Sequence, residues 1–488
     1  MRARLLCLCL ALLVAAPAAA AELQDDLKAR RARILERLTP DSMLILWSAP
    51  VRTYSNDVEY EFRQDSNFYY LSGIDQPESI LVLMPGNRER REILFVRPRN
   101  PPREHYEGHF LTPAEATEMS GIATVYLTTG FDDFLAAILS RRPFGNAPAG
   151  EYQTYFTALD NNRARLALLL GPAPRLGDEV PEPYRFLNRL RARHDGFTAL
   201  DATAILHDLR LIKTPYEQKV MEDSARISSD AHMAGMRAAK PGAFEYEVEA
   251  AIEYVYKKNG AFDWGYPSIV GSGPNATTLH YNASSRQMQD GDLLLVDAAA
   301  NYKFMTVDIT RTYPVSGRFM EPQKELYNLV LRAHEAARGA IRPGVRLRDL
   351  HQRTVDVIKD GLLKLGLITD TAGDQYRLWY THGSNHWIGI DVHDVGDYER
   401  PLEPGMTFVI EPGIYIRESA LDNLPKTAEN AAFIEKVRPA VQKYKDIGVR
   451  LEDSFILTAT GLKNLSASVP RTAAEIEAFM RSGAPASR

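Results

Sequence analysis

Three features of the sequence predict a two-domain protein of the α+β / α/β class. At 488 residues it exceeds what one hydrophobic core usually organises. Its first half alternates short apolar runs with segments rich in Pro, Gly, Asn and Arg, a pattern of strands joined by loops with interspersed helices. Its second half sets helix signals among apolar runs that end in a carboxylate. With 45% hydrophobic and 25% charged residues, the composition is that of an ordinary globular protein.

At the start of the chain, Arg2 and Arg4 precede an apolar run, Leu5 to Val14, followed by the small-residue tract Pro17 to Ala21. This is a secretory signal pattern, so residues 1–21 are expected to be removed and the protein exported, to the periplasm or beyond the cell. Leu5 to Ala21 falls short of the roughly 20 apolar residues that a membrane span needs, and no stable span is expected after signal removal. Cleavage near Ala21 removes both cysteines, Cys7 and Cys9, which excludes disulfide and cysteine-metal chemistry from the mature chain. These cysteines lie inside the apolar run, which argues against acylation of a new N-terminal cysteine. Loss of Arg2 and Arg4 takes the formal charge from −5 to about −7. No run of basic residues with interleaved aromatics is present, so nucleic acid is not an expected partner.

Residues 22–203 form the first expected domain, with strands at Met43 to Trp47, Ser79 to Met84 and Ile93 to Val96. Residues 204–488 form the second. There Thr214-Pro-Tyr-Glu217 is a helix start, with Thr as N-cap, Pro at the first helical position and Glu at the third. That helix is expected to run to about Ala239, before Pro241-Gly242, and a second helix spans Glu245 to Lys258. Leu293 to Val296 and Thr306 to Val315 read as strands, Gln323 to Arg338 and Leu347 to Leu365 as helices, and Phe408 to Ile416 and Val449 to Leu457 as strands. Thr427 to Tyr444 reads as one more helix.

An internal echo links the two ends of this second domain. Met288 to Asp297 can be laid on Leu402 to Glu411, with Gly291 and Gly405 in step and a carboxylate closing each apolar run. His280 and His393 precede those carboxylates at nearly equal distances. The echo suggests two related halves facing one site.

The chemistry lies in the acids. Asp297 closes Leu293-Leu-Leu-Val296, and Asp308 lies in Met305-Thr-Val-Asp-Ile-Thr-Arg-Thr. A carboxylate buried in a strand costs several kcal/mol unless a cation or good donors compensate it. For either Asp alone, an ion pair with Arg311 or Lys303 would serve. Glu411 after Thr407-Phe-Val-Ile410 and Glu452 after Gly448-Val-Arg-Leu451 bring the inward acids to four, too many for arginines alone. His382, His386 and His393 add three of the 11 histidines within one short segment. Oxygen donors with a single imidazole favour Mn²⁺ or Co²⁺, with Zn²⁺ also compatible, over a sulfur-rich structural zinc site. Two such ions share a water, lower its pKa and polarise a carbonyl, which suits amide hydrolysis.

The ordered set of Asp297, Asp308 in Asp-Ile-Thr-Arg-Thr, His386 in His-Trp-Ile-Gly, Glu411 in Glu-Pro-Gly and Glu452 in Arg-Leu-Glu-Asp resembles the pita-bread metallopeptidases. Among them the chain is most similar to the aminopeptidase P family. The resemblance runs from about Leu206 to the end and implies a catalytic domain with pseudo-twofold halves. It further implies that Asp297 chelates one metal ion, Asp308 and Glu452 bridge two, and His386 and Glu411 complete the other, with Glu411 also the general base toward a bridging water. His280, His382 and His393 match the family's histidines that hold substrate and stabilise the tetrahedral intermediate. Arg450 and Thr310 match positions that orient the carboxylates.

Phe62-Arg-Gln-Asp-Ser-Asn-Phe-Tyr-Tyr-Leu-Ser-Gly73 and Pro77 to Leu83 are similar to the mixed-sheet, creatinase-like N-terminal domain of that family. Such a domain narrows the active-site mouth and mediates oligomerisation, so a homodimer or homotetramer is expected. The implied substrates are peptides with proline at position two. Departures from the family pattern are Asp297-Ala-Ala for the commoner Asp-Ala-Gly, Phe304-Met-Thr where aromatic and small residues are usual, and Tyr106 where relatives place a Trp.

Prolidase, which cleaves Xaa-Pro dipeptides, is the alternative, and His-Trp-Ile-Gly leans away from it. An inactive relative or a metal-free creatinase-like hydrolase would be expected to have lost several of the five donors. A methionine aminopeptidase would usually lack the large N-terminal domain.

Overall fold

A computed structural model of the chain describes residues 21–482. The expected signal segment, apart from Ala21, lies outside the described residues. The chain divides into two compact units, one ending at Leu209 and the other beginning at Arg210.

In the first unit a helix over residues 21–37 buries Leu27, Ile34 and Leu35. A six-stranded mixed sheet follows, made of β1 (Ser42–Trp47), β2 (Ile80–Leu83), β3 (Glu92–Val96), β4 (Thr124–Leu127), β5 (Ala164–Leu168) and β6 (Phe197–Asp201) in the order β4-β3-β2-β1-β5-β6. β1, β2 and β3 pair antiparallel, and the outer pairings are parallel. Met43, Ile45, Val82, Ile93 and Phe95 pack against Phe134, Ile138 and Tyr155 of the covering helices, so burial explains the near-continuous apolar runs of these strands.

The second unit opens on α1 (Pro215–Ala238), where the Thr214 side chain accepts from the Glu217 backbone and Glu217 accepts from the Thr214 N–H. It pairs with α2 (Glu245–Lys258). Next comes an antiparallel three-stranded sheet of β7 (Ile269–Ser272), β8 (Leu293–Asp297) and β9 (Thr310–Pro314). The pattern then recurs: helices α3 (Glu321–Arg338) and α4 (Leu347–Lys364) pack together, and a second antiparallel sheet joins β10 (Thr407–Ile410), β13 (Asp453–Thr458) and β14 (Gly461–Asn464). Between these strands lie β11 (Gly413–Tyr415) and β12 (Gly448–Arg450), paired antiparallel. Helix α5 (Ala428–Tyr444), N-capped by the Thr427 side chain, buries Phe433, Val437 and Val441 in the main core. Two helical pairs backing two sheets form the pita-bread fold. The echo has a backbone counterpart, since Gly291 and Gly405 both take a positive φ, 87° and 95°.

Three expected strands are shorter than their apolar runs, each for a reason that bears on the site. Residues 306–309 form no ladder: Thr306 N–H donates to Gly389 O, and the Asp308 backbone bonds the Ser454 hydroxyl through both its N–H (2.9 Å) and its C=O (2.7 Å). The run Phe408 to Ile416 breaks at Glu411-Pro412, where proline has no N–H to give a ladder. The run Val449 to Leu457 breaks opposite, at Leu451-Glu452, whose N–H groups donate to Pro412 O and Thr310 O.

Candidate active site

These departures from regular pairing turn the acids to one place. Asp297 is the last residue of β8, Asp308 sits in the unladdered stretch before β9, and Glu411 and Glu452 occupy the two breaks. His386 lies in the segment after α4, where Val409 N–H donates to His386 O. Three overlapping sets each hold their donor atoms within 4.8 Å: Asp297, Asp308 and Glu452; His386, Glu411 and Glu452; and Asp308, His386 and His393. His386 Nε2 lies 3.4 Å from Asp308, 3.7 Å from Glu411 and 3.7 Å from Glu452. Its Nδ1 is 3.0 Å from Trp387 O, so Nε2 is the nitrogen that faces the acids. Burial lowers the imidazole pKa, but Asp308, Glu452 and Glu411 outweigh it and hold it well above the usual value, and a cation would take the place of the Nε2 proton.

The charge balance asks for cations. Arg450 donates to Asp297 Oδ2 at 2.6 Å; burial pushes the Asp297 carboxyl up, but Arg450 and Tyr266 outweigh it and hold it low. Asp308 is driven well above the carboxylate range by burial and by the charges of Glu452 and Asp297. Burial and Glu452 push Glu411 up to about 8. Glu452 also rises through burial, and its Oε1 is buried without a hydrogen-bond partner. Buried acids forced toward protonation, one with an orphaned oxygen, are what divalent cations would relieve, and this donor set fits them. The alternative of local ion pairs fails on position. The Arg311 guanidinium donates to Asp453 Oδ1 (2.7 Å) and Glu452 O (2.6 Å), and the Lys303 ammonium lies 5.3 Å over the Tyr302 ring.

Around the acids, Thr310 donates to Glu452 Oε2 at 2.8 Å and accepts from Arg450 Nε at 3.2 Å. Arg450 Nη1 donates to the Tyr415 hydroxyl (2.9 Å), and that hydroxyl is 2.8 Å from His382 Nε2. His382 Nδ1 lies 2.6 Å from Gly383 O, so both ring nitrogens are committed within the protein. The ring sits 3.5 Å from Glu411 Oε2. His280 and His393 instead line a cavity of about 310 Å³, with Tyr266, Ile269, Asn282, Asp297 and Asp308. The His393 and His386 rings meet edge to face at 4.5 Å.

Two residues of the cluster escaped the sequence reading. The Tyr266 hydroxyl lies 2.6 Å from Asp297 Oδ1, to which it donates, and also meets Asp308, and Tyr415 joins Arg450 to His382. Gly265-Tyr-Pro267 carries no periodic signal. Tyr415 had one available signal, its position one strand-length after Glu411 in a run already assigned to the site.

A pita-bread unit with four acids and a histidine converging beside a cavity defines a metallohydrolase. Residues 219–459 match metallopeptidase family M24, and residues 27–144 match the aminopeptidase P N-terminal domain. The Xaa-Pro aminopeptidase of Haemophilus influenzae is 34% identical over 94% of this chain and 97% of its own length. That of Escherichia coli is 33% identical, covering 94% and 98%. Among solved structures, Pseudomonas aeruginosa aminopeptidase PepP aligns with a TM-score of 0.78 at 35% identity, covering 94% of this chain and 98% of its own. Escherichia coli aminopeptidase P with the inhibitor Pro-Leu aligns at 0.77 and 31%, with the same coverage. The chain belongs to metallopeptidase family M24, within its aminopeptidase P members.

Proposed function

We infer that the protein is a metal-dependent exopeptidase that releases the N-terminal residue from peptides with proline at the second position. The observation that supports this most is the convergence of Asp297, Asp308, His386, Glu411 and Glu452 beside the cavity lined by His280 and His393. The relatives named above are Xaa-Pro aminopeptidases, which adds the substrate class and favours this reading over an Xaa-Pro dipeptidase.

Asp297, Asp308 and Glu452 would hold one cation, and His386 and Glu411, sharing Asp308 and Glu452, a second. Mn²⁺ is the proposed metal on the hardness of the donors, with Co²⁺ and Zn²⁺ as competitors; a zinc-substituted Escherichia coli aminopeptidase P with product is among the similar structures. The bound cations supply Lewis acidity, lowering the pKa of a water and polarising the scissile carbonyl.

The remaining work falls to the chain's own side chains. The bond before proline is a tertiary amide whose nitrogen bears no hydrogen, so proline departs only when a proton is delivered to it. Glu411 takes the proton that the attacking water releases and hands it to that nitrogen. His280 and His393 donate hydrogen bonds to the substrate carbonyl as it becomes tetrahedral. His382 was expected beside them; with both nitrogens engaged, it is assigned to holding Tyr415 and Glu411 in place. Arg450 and Thr310 orient Asp297 and Glu452.

Export, on the pattern of residues 1–21, and a homodimer or homotetramer, on the aminopeptidase P N-terminal domain, complete the proposal. No described helix is long and apolar enough to cross a membrane. The test is to purify residues 22–488, strip and restore Mn²⁺, and compare Xaa-Pro dipeptides, Xaa-Pro-Xaa tripeptides and a Met-Ala peptide. Metal-dependent cleavage of the tripeptides is expected. Equal activity without metal overturns the mechanism, and cleavage of dipeptides alone makes the protein a prolidase.

A further inference from the structure

His280 is carried by the connection between β7 and β8, residues 273–292, which opens on a short 3-10 helix, Gly273–Thr277, and carries no strand beyond it. Its ring is exposed into the cavity, and a loop has no ladder to fix such a side chain. The loop is nevertheless tied down from two directions.

From inside, Glu245, the first residue of α2, is fully buried. No lysine or arginine side chain donates to its carboxylate among the described bonds; its oxygens are satisfied by backbone, hydroxyl and amide donors. Oε1 accepts from Ser272 N (2.6 Å), Ser272 Oγ (2.7 Å) and Asn275 Nδ2 (3.1 Å). Oε2 accepts from the Tyr281 hydroxyl (2.9 Å) and Arg286 N (2.9 Å). The Glu245 N–H in turn donates to Arg286 O at 3.0 Å. One carboxylate thus gathers the start, middle and end of the loop, and its contact with Tyr281 is next in sequence to His280.

From the other half of the unit, Arg417 lies six residues beyond Glu411 in sequence. It donates through Nε to Thr277 Oγ1 (2.8 Å) and through Nη2 to Thr278 Oγ1 (2.9 Å) and Thr277 O.

We propose that Glu245 and Arg417 form a clamp that positions His280 for substrate. The clamp rests on the reading of His280 as a substrate-contacting residue. Glu245 is the principal member, because both oxygens of a carboxylate accept, with about four lone pairs between them, and the five donors saturate them, the longest contact, Asn275 Nδ2, sharing Oε1 with the two from Ser272. A glutamine offers one oxygen and turns an NH₂ group on the rest. Arg417 registers the same loop against the segment that follows Glu411, so the group that binds the carbonyl and the group that moves the proton share a frame. Neither residue touches substrate or the metal donors; both act through the loop.

The experiment is a double-mutant cycle on the Mn²⁺-loaded chain with an Xaa-Pro-Xaa tripeptide, using Glu245→Gln, Tyr281→Phe and Arg417→Ala, each alone and with His280→Ala. Tyr281→Phe and the exposed Arg417→Ala carry the test if Glu245→Gln fails to fold. Glu245→Gln is expected to lower kcat/KM at least tenfold, and the other two severalfold. Mn²⁺ affinity of the stripped protein, measured by calorimetry, should stay unchanged. In the His280→Ala background each clamp substitution should have less than a twofold further effect, because coupled residues are non-additive. Full additivity, or three single variants with wild-type kcat/KM, overturns the clamp. If His280→Ala itself is as active as wild type, the substrate role of His280 fails first and the clamp falls with it, an outcome distinct from the other two.

Discussion

Glu411 faces two demands that pull against each other. To hold a cation it must be ionised, yet burial and the neighbouring charge of Glu452 push its carboxyl up to about 8 when no cation offsets them. The same surroundings suit a group that takes up a proton and gives it back. Glu411→Gln keeps the shape and removes the proton-holding oxygen, so kcat should fall by about 10²–10⁴-fold while peptide affinity largely survives. Single-turnover kinetics, equilibrium peptide binding and metal content of the variant check this together; retained turnover at full metal content removes Glu411 from the base role. The four acids were legible in sequence because an acid inside or closing an apolar run is chemically anomalous, and His386 because it stands in a segment holding three of the 11 histidines. Tyr266 and Tyr415 were not, since a tyrosine beside apolar residues looks the same whether its hydroxyl meets water or a carboxylate. His382 was legible as a site residue, but its partners were not. Its commitments to Tyr415 and Gly383 O depend on the fold.

At the scale of elements, apolar periodicity located five helices of the second unit to within two residues, because their caps are written in neighbouring side chains, and missed the last, Ala473–Ser482. The Thr214-Pro-Tyr-Glu217 capping box is one such cap. Periodicity overextended the strands around Asp308, Glu411 and Glu452, because whether a strand continues depends on which backbone comes alongside. Ser454, Pro412 and Thr310 supply those partners from distant positions. The two glycines of the internal echo offer a test at this scale. Both have positive φ, so an alanine at either costs about 1–2 kcal/mol of backbone strain. At Gly291 the new Cβ would find Met320 at 3.7 Å, ordinary contact, whereas at Gly405 it would meet Ile212 Cγ2 at 2.8 Å. Gly405→Ala should therefore lose about 1–3 kcal/mol more than Gly291→Ala through overpacking. Urea midpoints of the two variants measure the difference, and equal losses would mean that Ile212 yields freely.

For the molecule as a whole, the buried charge that serves the site is set against a second population of buried groups kept neutral. His334 on α3 is fully buried, and neither ring nitrogen has a hydrogen-bond partner. Burial lowers its pKa to about 4, with Arg471 and Arg311 assisting and Asp453, 3.5 Å from Nε2, opposing. His232 on α1 is likewise lowered by burial to about 4. An unfolded histidine titrates near 6.5, so between that value and 4 the unfolded chain binds protons that the folded chain refuses. Stability is then complete above about pH 6.5 and is lost as pH falls toward 4. Between pH 7.5 and pH 5 the loss is about 2 kcal/mol per histidine. The raised carboxyls of Asp308 and Glu411 act in the opposite direction in metal-stripped protein, because the folded state there holds protons more tightly than the unfolded chain. They are common to wild type and variant, and cancel in a comparison of the two. His334→Leu removes one titrating group and fills its place with apolar surface. In urea unfolding with chelator present throughout, the variant's loss between pH 7.5 and pH 5 should be smaller than that of wild type by about 2 kcal/mol. Parallel losses would show that His334 takes up its proton without leaving the fold, and the acid sensitivity would then have to be sought in His232 and in His382, which burial also lowers.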